Sequence, residues 1–180
     1  MTSPGVLLQL TGATGWRSTT GRAGHLSRKD AALLALLAFN GATPRDRVAA
    51  LLWPDASTLK AYNSLRQRLF RLRRDTGHEL ALLGDTVSLA PGVHTDLADD
   101  ASQAGELLGA FDYGDSHALD EWVQSAREQW RQRRVDALTG VAARHEAAGA
   151  WAAAIACTQR LIEIAPLQEH AWRRLMRLHY

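Results

Sequence analysis

Between Ser57 and Arg74 the chain holds six cations (Lys60, Arg66, Arg68, Arg71, Arg73 and Arg74), no acid, and the amides Asn63 and Gln67. Arg and Lys neutralise phosphates, while Arg, Asn and Gln can also pair with base edges through two hydrogen bonds. Such a set reads a polynucleotide only if it stands on one face of one element. Tyr62, Leu65, Leu69 and Leu72 recur at helical spacing and give that element an apolar stripe. At 100° per residue the stripe spans roughly 340° to 60°, and Lys60, Asn63, Gln67, Arg71 and Arg74 cluster opposite, between about 160° and 240°. Arg66 and Arg68 fall on the flanks and suit phosphates, as does Arg74. Arg73 lies near the stripe and suits a structural role. The plainer alternative is a solvated charged face, but surface helices usually interleave both signs, and these like charges repel without an anion.

Other chemistry is poorly supplied. The seven histidines form no HxxxH pair, and the one cysteine, Cys157, has no second thiol with which to form a disulfide within the chain. A metal centre is therefore not expected. Asp96, Asp99 and Asp100 make a carboxylate cluster, read here as the acidic first turn of a helix. The loop Asp112-Tyr113-Gly114-Asp115 lacks the alternating ligands of a calcium loop. There is no GxxxxGK[ST] phosphate loop and no GxSxG elbow. The expectation is no catalytic residue, no cofactor and no enzyme. No apolar run approaches the ~20 residues of a membrane helix, and the start lacks a signal peptide's basic and apolar regions. A cytoplasmic protein with no membrane partner is expected.

The elements that would position the basic helix can be read around it. Val6, Leu8 and Leu10 suggest a short strand, and residues 16–20 a second. Ser27 caps a helix over 28–40 that Asn40-Gly41 closes. Thr43-Pro44-Arg45-Asp46 reads as a helix start, with Thr43 as the cap, and Pro54 stops that helix after Leu51, Leu52 and Trp53. Asp55 or Ser57 opens the basic helix, expected over 57–76, and Gly77 ends it. Residues 80–83 and 86–89 flank Gly84-Asp85 as a hairpin. Strands, three helices and a hairpin are the order of a winged helix-turn-helix, whose last helix enters the major groove. Arg28, Lys29 and Arg45 at helix starts are further phosphate candidates.

Charge divides the chain. Residues 1–79 carry 12 Lys and Arg against 5 Asp and Glu, and residues 80–180 carry 9 against 14, within a net charge of +2. Two modules with different partners follow. Helical periodicity runs over 96–108 and 119–149. From Arg134 a 34-residue tetratricopeptide-like register fits Leu138, Val141, Ala142, Ala154 and Leu161, with Gly149 in the turn. It breaks off at Tyr180 inside the first helix of a further repeat, so the chain reads as a fragment of a longer one. Trp53, and Trp122, Trp130, Trp151 and Trp172, are expected to pack in cores.

The segment HLSRKDAALLALLAFNGATPRDRVAALLWPDAS with SLRQRLFRLRR resembles the amino-terminal domain of the Streptomyces antibiotic regulatory protein type activators. The segment from Glu121 to Tyr180 resembles the bacterial transcriptional activator domain that follows it in that family. The resemblance implies an α+β winged helix-turn-helix over 1–95, then an all-α tetratricopeptide-like domain over 96–180. It implies double-stranded promoter DNA as a partner, contact with RNA polymerase, and activation of transcription. The DNA-binding set expected on helix 57–76 is Lys60, Asn63, Arg66, Gln67, Arg68, Arg71 and Arg74. The helical domain is also a place for homodimer contacts. The acidic second half and Asp85 at the hairpin tip motivate a different expectation, a protein-interaction module whose winged helix does not bind DNA. A third is a piece of a larger ATP-dependent regulator.

Overall fold

The computed structural model describes residues 5–98, 101–102 and 104–179. It divides into two compact units, one of Met1–Asp99 with Gly105–Arg127, the other of Asp100–Ala104 with Glu128–Tyr180.

In the first unit Val6 and Leu8 are buried while Leu7 and Gln9 are exposed, so β1 (Val6–Gln9) buries one face. It pairs antiparallel with β2 (Gly15–Ser18), which pairs with β3 (Ala23–His25). The helix α1 (Arg28–Asn40) follows, its N-cap Ser27 accepting from the Asp30 amide. Every residue from Ala31 to Leu37 is buried. A helix apolar all round belongs in the middle of a core. Gly41, at φ 71°, takes the C-cap.

Thr43 was expected to cap the next helix. Instead Thr43–Pro44 form the two-residue strand β4, and α2 (Arg45–Leu52) starts after them. The Thr43 hydroxyl donates back to the Gly41 carbonyl, and Thr43 pairs with Val87. A distant strand has outcompeted the local cap. The long helix α3 (Thr58–Thr76) ends at Gly77, left-handed at φ 77°, as a glycine there readily allows. Then β5 (Ala81–Leu83) and β6 (Thr86–Leu89) form the expected hairpin, and β6 joins it to β4.

After Gly92 the strand β7 (Val93–Thr95), which the sequence pattern did not announce, lies parallel to β1. The four-stranded sheet therefore has the order β3-β2-β1-β7. The expected helix over 96–108 is absent among its described residues. Asp96 is not in a helical first turn. Its carboxylate accepts from the amides of Leu10 (2.8 Å) and Thr11 (3.0 Å) and from the Thr11 hydroxyl (2.7 Å), closing the end of β1. Asp99 and Asp100 lie outside the described residues. The Leu108 amide donates to Leu10, and Leu108 and Gly109 have φ of 59° and 52°. Two successive left-handed residues cannot continue a right-handed helix.

The helix α4 (His117–Ala147) begins in the first unit. In the second unit its later part, with α5 (Trp151–Ile164) and α6 (Glu169–His179), encloses Val135, Leu138, Leu161 and Ala171. Ala142 and Ala154 are fully buried, and Gly149 turns the chain at φ 69°. A mixed α/β first part and a helical second part are both present, as expected. Of the tryptophans, Trp130 is 1% exposed and in a core, and Trp53 and Trp122 are half-buried. Trp151 and Trp172 are 57% and 47% exposed, contrary to expectation. The Trp172 indole donates to the Pro166 carbonyl across the α5–α6 turn, so its ring lies along the surface.

Candidate nucleic-acid interface

The site is built on α3. Ala61, Leu65, Leu72 and Thr76 form its buried line. Tyr62 and Leu69 are only half-buried, so the line is rotated by roughly 30–40° from the stripe that the sequence suggested. Tyr62 is occupied with α2 instead. Its hydroxyl donates to Asp46, and the Arg45 guanidinium lies 4.1 Å from its ring centroid. The hydrogen bond to Asp46 is the main reason the Tyr62 hydroxyl is held above its ordinary pKa.

The remaining side chains of α3 sort into three groups. Lys60, Asn63, Arg66, Gln67 and Arg71 are exposed, and the three cations among them make no ion pair among the described residues. Arg73 and Arg74 are exposed and carry acidic neighbours, Glu79 at 3.7 Å and Asp75 at 3.1 Å. Such exposed pairs are worth about 0–1 kcal/mol and exchange readily for another anion. Arg68 stands apart from the others. It is turned toward α1, where it meets Asp30 at 2.7 Å and Ser27 Oγ at 3.2 Å. Both side chains of the Arg68–Asp30 pair are largely covered, at 23% and 17% exposure.

Helix starts hold their cations inward. Arg28 pairs with Asp115 and donates to the Asp112 carbonyl (2.6 Å). The hydrogen bond that Arg28 donates to the Asp115 carboxylate holds that carboxyl below its ordinary pKa. Tyr113, 1% exposed, donates to the Arg28 carbonyl at 3.0 Å, and burial pushes its phenol up to about 12. Lys29 donates to the Leu52 carbonyl and lies 5.8 Å from the Trp53 ring centroid. The hairpin offers no cation. Leu82 and Leu83 are 42% and 38% exposed, and Asp85 stands at the tip with its carbonyl accepting from Arg45.

Two residues of the exposed face escaped the charge pattern, Leu59 and Phe70, at 71% and 67% exposure. Their signal was positional, since both fall outside the apolar stripe, at about 120° and 140° on the same wheel. Among the described residues no group of three His, Cys, Asp or Glu could hold a metal ion, and no helix is long and apolar enough to cross a membrane. What α3 offers is a rod of about 28 Å, anchored along one side and carrying hydrogen-bond donors along the other.

No curated protein matches the chain. The sequence over residues 85–180 matches the model of a class of transcription regulators, and that match takes in more than half of the chain. The chain belongs to the bacterial transcriptional activator domain family. The match begins at Asp85 and so stops short of α3.

Proposed function

We propose that the chain is a sequence-specific DNA-binding transcriptional activator of the Streptomyces antibiotic regulatory protein type. The first part, about 1–95, acts as a winged helix-turn-helix with α3 in the major groove and the β5–β6 hairpin beside the backbone. The helical part, about 96–180, acts as a tetratricopeptide-like module that contacts RNA polymerase and provides a surface for a second copy. Cytoplasmic double-stranded DNA is the ligand, with no cofactor. One observation carries this reading: Lys60, Arg66 and Arg71, unpaired, share the exposed side of α3 with Asn63 and Gln67, while its other side is buried. Asn63, Gln67 and Arg71 are the base-reading candidates, Lys60 stands with them, and Arg66 and Arg74 meet phosphates. Arg68 serves the interface by holding α3 to α1.

Titration of promoter duplex against salt tests this. With four to six phosphates neutralised, the log–log slope of affinity on salt is about −4 to −5. Arg71→Ala costs about 1–3 kcal/mol and relaxes base preference, whereas a purely phosphate-bound residue weakens all sequences alike. A salt-independent isotherm, or no binding at low salt, overturns the proposal.

The exposure of Leu59 and Phe70 and the acidic hairpin tip favour a second reading, a protein-interaction module. Mobility-shift assays on random and promoter duplexes separate the two, since the module retards neither.

A further inference from the structure

Phe70 is the anomaly of the exposed face of α3. A phenylalanine 67% open to water is costly to leave uncovered, and the described residues of its own unit leave most of it bare. Its frame narrows what does. Helix neighbours three and four residues away adjoin it, which here means Arg66, Gln67, Arg73 and Arg74. Asn63 lies two turns back on nearly the same line, within about 20°. Every one of these is a hydrogen-bond donor, and none is an acid or an aliphatic side chain. A protein partner with an apolar patch would have to bury Arg66 against it, and Arg66 has no acidic neighbour to neutralise it. The surface that supplies acceptors for all of those donors, and an apolar group among them, is the edge of a DNA base stack. In the major groove the thymine C5-methyl is the apolar group that a base pair displays, and phenylalanine is among the side chains that meet it.

We infer that Phe70 is a specificity-determining residue that contacts the C5-methyl of a thymine in the bound duplex, between the base-pairing reach of Asn63 and Gln67 and the phosphate contacts of Arg66 and Arg74. The inference rests on the major-groove role proposed for α3 and adds a side chain that charge alone does not select. Leu59, eleven residues earlier and within about 20° of the same line, lies about 16 Å away along the helix axis. That is too far for the same base pair, so Leu59 serves as the internal comparison.

The test uses the full chain and duplexes selected from a random pool. Each thymine of the selected site is replaced singly by deoxyuridine, which removes the methyl group and leaves the pairing edge unchanged. The expected result is one position at which the replacement weakens binding about fourfold, the equivalent of about 0.8 kcal/mol for a buried methyl. Phe70→Ala weakens binding to the thymine duplex and abolishes the uridine effect at that position, while Leu59→Ala leaves it in place. Phe70→Leu keeps part of it. Because Phe70 is on the surface, unchanged melting of each variant separates lost contact from lost fold. Selected duplexes without a methyl-sensitive position overturn the inference, as does a uridine effect that persists undiminished in Phe70→Ala. Phe70→Ala with unaltered affinity and base preference assigns the residue to a protein partner and overturns it too. Failure to bind any duplex overturns the role of α3 itself, which is a different outcome from binding that ignores Phe70.

Discussion

Six cations that look alike in the sequence have three different roles in the folded chain. Arg68 is spent on Asp30, Arg73 and Arg74 lean on surface acids, and Lys60, Arg66 and Arg71 stay available. Composition showed the excess of charge but could not show that Asp30, 38 residues away, would claim one of the six. Tyr113 illustrates the same limit. In the sequence the loop that holds it is only an acidic loop without a calcium site's ligands, yet its phenol is buried beneath Arg28 and tied to that residue's carbonyl. Its folded pKa of about 12 stands above the 10.0 of an ordinary phenol side chain. A raised folded value means that the protonated phenol stabilises the fold fully below about pH 10 and that this stability is lost as pH rises toward 12. In a Tyr62→Phe background, which removes the other raised phenol, absorbance at 295 nm should therefore show one late tyrosine phase, coupled to unfolding in base. Tyr113→Phe should remove that phase and flatten the alkaline loss of stability. A Tyr113 that titrates with a freely exposed phenol would contradict the burial.

At the scale of elements, what was legible was local. The Ser27 cap, the Asn40-Gly41 stop, the Gly77 stop and the Gly84-Asp85 turn each sit within a few residues of the boundary they set, and α1, α3 and the hairpin follow them. What was hidden was set from afar. The strand β7 exists because β1 offers it a free edge, and Thr43 is a strand residue because Val87 faces it. The stretch after Asp96 has helical periodicity but is pinned backward, with Leu108 and Thr11 bonded to chain nearly a hundred residues distant in sequence. Glycine permits that pinning. A Cβ on Gly109 would collide with the Gly12 carbonyl, and its φ is 52°. Gly109→Ala should lose on the order of 2–3 kcal/mol of the first unit's stability, read as a lower melting temperature. Gly149→Ala has open space and only its φ of 69° to oppose it, so it should cost about 1 kcal/mol. Equal effects would mean that the approach to Gly12 does not matter.

For the whole molecule, the charge division along the chain does not follow the compact units, since the first holds 13 Lys and Arg against 13 Asp and Glu and the second 8 against 6. The strongly basic helix belongs to one compact unit, and the family match lies mostly over residues of the other. Each unit has a core of its own, Leu33, Leu36 and Leu65 among the residues of the first, Leu138 and Leu161 in the second. A ligand stabilises only what it binds, by RT ln(1 + [L]/Kd), or about 2.7 kcal/mol at a hundredfold excess over Kd. Saturating duplex should therefore slow exchange about a hundredfold for the core amides of α1 and α3 that open only by global unfolding of their unit. The amides of α5 and α6 should exchange as they did without DNA. Equal slowing in α5 and α6 would mean that the two units open as one. Slowing confined to α5 and α6 would move the binding surface from α3 to the helical part.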